Sequence, residues 1–400
     1  MQSVGNIMAT VAKLLYIIDM KKIKLIIIFA LIVFSCQQRQ ESYPLASDTL
    51  RPDNILVVAD IETINLDSAI ATSCVGKLDI TNGKLCFIDY MYCFMYFIDE
   101  TGKLIKRDLG IGNGPNEINC GAIATHTFFE DGSVSFYGTS DDVYIYTNEY
   151  VQNKERSFRI RRDFSKMDES IEADPDSFET YSFPRFMVCR AWNGKSYINN
   201  SSTSYGFNYF ETPDKYSQNC RILTEYDIPN KKIGRLLGKG MPEIYHGTSE
   251  KNYIFSEFTF DIDDNGNFYI AFLADDHIYK FDKDFKPLAA FGYKGNSMDM
   301  EYLSVTNPQE IYAKAEEQYK SKGWYTWVEY IPEKNWVCRS YHKGAHSDTD
   351  GLQIYDKDNV LIADIDVPQG FRPTGFVYPY LYSDIVEQEE TLVFYKIKVD

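Results

Sequence analysis

The feature that most restricts how this chain can fold is a unit that recurs along it. The unit runs as an alternating strand, an Asp/Asn/Gly turn, a second strand, another turn, and an amphipathic strand ending in Tyr or Phe followed by Asp. A Gly or Lys turn and a last strand complete it. The clearest copy spans Phe258 to Gly295: Phe260-Asp261-Ile262, Asp264-Asn265-Gly266, Phe268-Tyr269-Ile270-Ala271, His277 to Asp282, then Leu288 to Gly292. Weaker copies combine Leu85–Asp89, Met95–Asp99 and Leu104–Leu109; Ser133–Tyr137, Val143–Tyr146 and Ser157–Ile160; and Lys195–Ile198, Ile222–Asp227 and Lys231–Leu237. Two more combine Trp336–Arg339, Leu352–Asp356 and Val360–Ile365, and Gly375–Leu381 with Thr391–Val399. A spacing of roughly 40–60 residues is that of four-stranded propeller blades. No blade buries both faces alone, so the copies must stack around an axis. The expected fold is all-β, a six-bladed β-propeller over residues 53–400.

Ile55-Leu56-Val57-Val58 is left over from this count. It is expected to close the ring by joining the last blade at Leu392–Ile397, which hides both sheet edges. Tyr (31) and Phe (26) are abundant and helical periodicity is scarce, which favours strands. One inserted helix is expected around residues 308–322. Asn307 reads as its N-cap, Pro308 as its first residue and Gly323 as its stop. Ile311, Ala315 and Tyr319 form an i, i+4, i+8 stripe, and Glu310–Lys314 and Glu316–Lys320 are i, i+4 ion pairs.

The N-terminus bears on location. Lys21, Lys22 and Lys24 precede an unbroken apolar run from Leu25 to Phe34. The run suits a signal-peptide core and is too short to span a bilayer as a helix. Val33-Phe34-Ser35-Cys36 then resembles the lipobox of bacterial lipoproteins. The resemblance implies a thioether-linked diacylglycerol on Cys36 and cleavage between Ser35 and Cys36. Acyl chains would hold a soluble domain at a membrane, each buried methylene contributing roughly 0.8 kcal/mol. Residues 1–35 are expected to be a signal peptide, with Met20 as the true start, and residues 36–52 a lipidated tether.

Forty-one Lys and Arg against 58 Asp and Glu give a formal net charge of −17. That balance excludes a nucleic-acid partner, whose phosphates need Lys and Arg. The leader holds Lys13, Lys21, Lys22 and Lys24 against Asp19, so the mature chain is more acidic still. Cys74, Cys86, Cys93, Cys120, Cys189, Cys220 and Cys338 follow Cys36. Their number is odd and no CxxC occurs, so they read as small buried hydrophobes, with one disulfide left open for an exported chain.

Leu109-Gly110-Ile111-Gly112-Asn113-Gly114-Pro115-Asn116-Glu117-Ile118 resembles a G-x-G-x-GP-x-E motif of the TolB-like six-bladed β-propeller lipoproteins of Bacteroidetes. Weaker echoes are Leu237–Glu243 and Phe291–Asn296. The lipoprotein start, the length and the blade pattern match that family across nearly the whole mature chain. The resemblance implies a cell-envelope protein, lipid-anchored to the outer membrane, in the setting of polysaccharide uptake; it brings no catalytic residues. Surface-exposed lipoproteins of this group tend to carry an acidic run after the lipidated Cys. Gln37-Gln38-Arg39-Gln40-Glu41-Ser42 is not one, which implies a periplasm-facing position.

Other motifs reduce to structure. Gly110, Gly112 and Gly114 lack the following helix that a phosphate loop needs. Asp261-x-Asp263-x-Asn265-Gly266 matches the start of a calcium loop, but Phe272 stands where the bidentate Glu belongs, so a hairpin turn is expected. His342 and His346 lie in a loop, and His126, His246 and His277 read as isolated. Aromatic clusters at Tyr205–Phe210, Trp324–Trp327 and Phe371–Tyr382 are expected mostly to pack blades, with some free to meet a partner. No catalytic, cofactor-binding or metal-ligating residue is expected, and Cys36 alone has an assigned chemical role. The expected function is a binding or scaffold module for a protein or glycan partner. The alternative is a metal-dependent propeller hydrolase or lyase in the central channel, which three or more Asp, Glu or His converging on the axis would favour.

Overall fold

The computed structural model describes residues 43–44, 60–140, 142–159, 186–200, 207–208, 212–246, 253–303, 310–388 and 391–399. β1 (Ile61–Asn65) stands apart from the first blade. Blade 1 is β2 (Gly76–Thr81), β3 (Lys84–Asp89), β4 (Phe94–Ile98) and β5 (Leu104–Leu109). Blade 2 is β6 (Ile123–Phe128), β7 (Val134–Gly138), β8 (Asp142–Tyr146) and β9 (Phe158–Arg159). Blade 3 is β10 (Cys189–Trp192), β11 (Lys195–Ile198), β12 (Leu223–Asp227) and β13 (Lys232–Leu237), with α1 (Pro213–Asn219) between β11 and β12. Blade 4 is β14 (Phe258–Ile262), β15 (Phe268–Phe272), β16 (Ile278–Phe281) and β17 (Pro287–Phe291). α2 (Ile311–Ser321) leads into blade 5: β18 (Trp324–Ile331), β19 (Trp336–His342), β20 (Thr349–Tyr355) and β21 (Leu361–Pro368). Blade 6 is β22 (Pro373–Val377), β23 (Tyr380–Ser383) and β25 (Thr391–Lys398), with β24 (Val386–Gln388) folded onto β25. The protein is therefore an all-β six-bladed propeller with one helix inserted between blades 4 and 5.

The ring closes where expected, with a different strand. β1 lies antiparallel on β25, Ile61 opposite Ile397 and Asn65 opposite Val393. Ile55–Val58 lies outside the described residues. First and last strands thus share one sheet, and the ring has no free seam.

The aromatic-Asp signature has a local cause. Asp99, Asp282 and Asp356 each turn an Oδ1 back onto two backbone N–H groups of the next turn: Thr101 and Lys103, Asp284 and Lys286, Asp358 and Val360. These Asx turns reverse the chain into the outermost strand. The pairing slips by one residue at the same place, at Ile98, Phe281 and Tyr355. That bulge adds twist where a propeller blade needs it.

The core is a set of seams rather than one centre. Separate clusters of buried side chains join blades 1 and 2, 2 and 3, 3 and 4, 4 and 5, 5 and 6, and 6 and 1. α2 ends before Gly323 as expected, and both of its ion pairs form; Asn307 and Pro308 lie outside the described residues. Ala315 and Tyr319 of its stripe pack on the seam of blades 3 and 4. Six of the seven cysteines are buried and Cys74 is half-buried; all are free, with Cys93 and Cys120 Sγ atoms 3.9 Å apart. Tyr43, expected in the tether, instead packs on the propeller. Its ring meets Tyr279 at 4.8 Å and Phe281 at 5.6 Å, and its hydroxyl donates to the Gly240 carbonyl at 2.9 Å. No helix among the described residues is long and apolar enough to cross a membrane.

Phe394, on the closing strand, is wholly buried against blade 1. We expect Phe394→Ala to remove about 3–5 kcal/mol of stability, read by urea denaturation. Ile105→Ala, at a position 66% exposed on β5, should change it by less than about 0.5 kcal/mol.

Candidate functional site

The innermost strands of the six blades line the axis, and each brings at least one polar side chain to it: Asp79 on β2, His126 on β6, Arg190 on β10, Asp261 on β14, Glu329 on β18 and Thr374 on β22. Three acids and a histidine therefore converge on the channel, which is the pattern that favours a channel site. Their partners narrow what they can do.

Asp79 is held by blades 1, 2 and 6. Lys77 pairs with its Oδ1, the His126 Nε2 lies 2.6 Å from its Oδ2, and the Thr374 hydroxyl donates to Oδ1 at 3.2 Å. Burial would raise this carboxyl, but Lys77 and His126 overcome it and hold it well below the usual carboxylate range. Burial lowers His126, against the pull of Asp79, so the imidazole stays neutral. The Tyr90 hydroxyl sits 3.0 Å from its Nδ1. That network assigns the proton to Nε2, facing Asp79, and leaves neither ring nitrogen free.

Arg190 ties the other half of the ring. Its Nε lies 2.8 Å from Asp261 Oδ1, and its terminal nitrogen bonds Glu329 Oε2. Asp261 also accepts the backbone N–H groups of Tyr330 and Ile262, and Glu329 accepts the Trp327 indole N–H at 2.8 Å. Burial dominates both acids: it raises Asp261 and pushes Glu329 up to about 8, with Arg190 working against it in each case. Burial would lower Arg190, but Asp261 and Glu329 hold it above its ordinary value. These donors do not suit a metal ion, because Lys77 and Arg190 already pair with the acids and would repel a dication, while the His126 Nε2 carries a proton toward Asp79.

The polar ring opens into a cavity of about 310 Å³ at the C-terminal ends of the inner strands, beside Asp264, Tyr330, Glu333 and Phe376. The Trp327 indole lies on the other side of the ring. Arg190, Lys77 and Arg372 approach that one ring at 5.3, 5.6 and 6.0 Å. Beyond it, two adjoining cavities of about 430 and 590 Å³ share Tyr319, Lys320, Trp324 and Arg372. The indole thus separates two mouths.

The residues read from the sequence fall as follows. Cys36 lies outside the described residues, as do Tyr205, Tyr209 and Phe210. Gly110, Gly112 and Gly114 form the turn between blades 1 and 2, where Glu117 Oε2 accepts the Gly114 N–H. Gly110 has φ +135°, and a Cβ there would sit 2.9 Å from the Phe94 ring. Asp263 makes the hairpin turn by accepting from Asn265 and Asn267, while Asp261 points to the axis. His342 pairs with Asp350 at 2.8 Å, and the His346 Nε2 lies 2.9 Å from the Ser297 carbonyl; the two are not brought together. His126 and His277 are not isolated after all. Asp275, Asp276 and His277 form the one group among the described residues whose ligand atoms could meet at a metal. Their donors are already spent: His277 Nδ1 lies 2.9 and 3.1 Å from the two carboxylates, Tyr279 donates to Asp275, and the pair of acids pushes His277 up to about 9. Phe207, Tyr325, Phe371 and Tyr382 are buried packing residues, Tyr378 is exposed, and Trp324 lines a mouth. Lys77, Asp79, Arg190, Glu329 and Arg372 carried no motif that pointed to the axis; polar residues interrupting an otherwise apolar strand were the available signal.

No family model and no curated protein matches the chain. Among solved structures, a Bacteroides vulgatus member of the DUF4221 family covers 87% of this chain and 100% of its own, with TM-score 0.58 and 13% identity. A Bacteroides fragilis protein described as a candidate exported protein covers 89% and 99%, with TM-score 0.51 and 13% identity. Likeness at this identity shows the propeller fold alone.

Two outcomes follow from the Arg190 pairing. Arg190→Met strands two buried acids, and we expect it to lower stability by about 3–5 kcal/mol in chemical denaturation. Glu329 supplies a pH test. An unfolded chain loses this proton near pH 4.5 and the fold keeps it to about pH 8. The stabilisation is full at low pH and is lost as pH rises through that window. The melting temperature of the unaltered protein should therefore fall relative to Glu329→Gln between about pH 5 and pH 8.

Proposed function

We propose that this chain is a lipid-anchored envelope propeller that binds a protein or glycan partner at a mouth of its channel without transforming it. The observation that carries the reading is the mutual neutralisation on the axis. Every ionisable group there already has protein partners, so the centre serves as a cross-link and the open mouths are left for recognition. The lipobox at Cys36 and the likeness to TolB-like lipoproteins support anchoring to the outer membrane, and the absence of an acidic run after Cys36 supports a periplasm-facing position. One structural neighbour is itself described as a candidate exported protein.

A second reading, a hydrolase or lyase working in the channel, draws on Glu329. A carboxylic acid still protonated near neutral pH, at the edge of an open cavity, can donate a proton to a leaving group. It would act without a metal on this axis.

In cells fed a labelled fatty acid, the unaltered chain should take up label and sediment with membranes, and Cys36→Ser should do neither; an unlabelled, soluble parent chain would end the anchoring claim. Against glycan and peptide panels, the purified full chain should retain ligands and release no new products by mass spectrometry. Products that vanish in Glu329→Gln would establish the second reading instead.

A further inference from the structure

Three arginines lie deep in the propeller, and one differs from the rest. Arg190 is paired with Asp261 and Glu329. Arg339 donates to the Gln353 side chain, to the Asp276 and Tyr293 carbonyls and to the Tyr355 hydroxyl. Arg372 has no hydrogen-bonded acceptor or ion-pair partner for its guanidinium among the described residues. What surrounds it is aromatic: its Cζ lies 5.6 Å from the Phe186 ring and 6.0 Å from Trp327. Phe186 stacks on Trp324 at 5.6 Å, and Tyr319 meets Trp324 edge-on at 5.1 Å. Arg372 lines both cavities at this mouth, and their volumes fall in the roughly 300–1,000 Å³ range of small-molecule sites.

The geometry points to a binding site for an organic carboxylate at this mouth, with the Arg372 guanidinium gripping the carboxylate and Phe186, Tyr319 and Trp324 holding its ring or apolar body. The inference rests on the binding reading above and names its ligand class. A planar guanidinium presents paired donors that match a carboxylate, and a half-buried cation with no hydrogen-bonded acid of its own gains from one. Burial lowers Arg372, and Asp384 and Asp350 offset this only in part. Both acids are otherwise engaged, Asp384 with the N–H groups of Leu78 and Ile385, Asp350 with His342 and the Gly370 N–H. Asp350 nonetheless lines the same cavity and repels added negative charge. Lys320 lines both cavities beside Arg372, and Asp350 and Glu316 line one each, so negative charge already at the mouth favours a monoanion over a dianionic phosphate.

The test is isothermal titration of the full chain in detergent. Galacturonate and benzoate represent the sugar-acid and aromatic-acid sources; galactose, acetate and inorganic phosphate are the comparators. At least one ring carboxylate should bind about tenfold or more tightly than galactose, acetate or phosphate, and which one binds identifies the source. Arg372→Met should abolish that binding, and Arg372→Lys, which keeps the charge without the fork, should weaken it about tenfold. Arg372→Met should melt no lower than the parent, because it removes a cation that lacks a carboxylate partner. If it does not fold, Arg372→Lys alone decides. The site is overturned if neither ring carboxylate binds, if phosphate or galactose binds as well, or if the variants bind unchanged. Retention of panel ligands by Arg372→Met at the parent level also overturns it, while leaving the broader binding reading in place.

Discussion

Charge cancellation on the axis is the constraint around which the ring is organised. Six sheets arranged in a circle bring six inner strands to one line, where there is little water to screen a charge. A lone ion there is expensive, and its cost falls only if an opposite charge lies within a few ångströms. Two clusters meet this demand. Arg190 of blade 3 takes Asp261 of blade 4 and Glu329 of blade 5. Asp79 of blade 1 takes Lys77 of its own strand, His126 of blade 2 and Thr374 of blade 6. Each cluster spans three successive blades, so together they reach all six. The apolar seams supply the bulk of the stabilisation, being non-directional and proportional to buried area. The clusters supply direction, because each accepts only one angular placement of its blades.

This division explains how the two halves of the structure could be read. The outer strands of each blade were legible because seam packing imposes strict alternation and because Asp99, Asp282 and Asp356 mark the final hairpins of blades 1, 4 and 5. The innermost strands were legible only in blades 4 and 6. β2, β6, β10 and β18 escaped because axial residues interrupt the apolar pattern: Thr125-His126-Thr127 in β6, and Glu329 within Trp324–Ile331. Asp261 was visible but was weighed as the first position of a calcium loop, since sequence neighbours suggested the turn and its true partner stands in another blade. His126 looked solitary for the same reason, with Asp79 47 positions away. α2 was legible because its two ion pairs and its stripe are local, whereas α1, a short helix with a proline at its start, carried too little periodicity.

Trp327 gives the axis a second property. Its indole N–H is committed to Glu329, and three cations surround the ring from Lys77, Arg190 and Arg372. The cavity beside Glu329 and the cavities beside Arg372 therefore lie on opposite sides of one aromatic plate.

Tyr43 has a mechanical meaning. It is held by three aromatic rings and one hydrogen bond at the junction of blades 3 and 4, whereas the strand that closes the ring, Ile61–Asn65, comes later in the chain. A pull on the N-terminal end therefore meets Tyr43 before it meets β1. The ring resists tension in series: the tyrosine must be drawn out of its socket before any load reaches the hydrogen bonds between β1 and β25. The joint that completes the circle is thus shielded from the end of the chain by a separate aromatic catch.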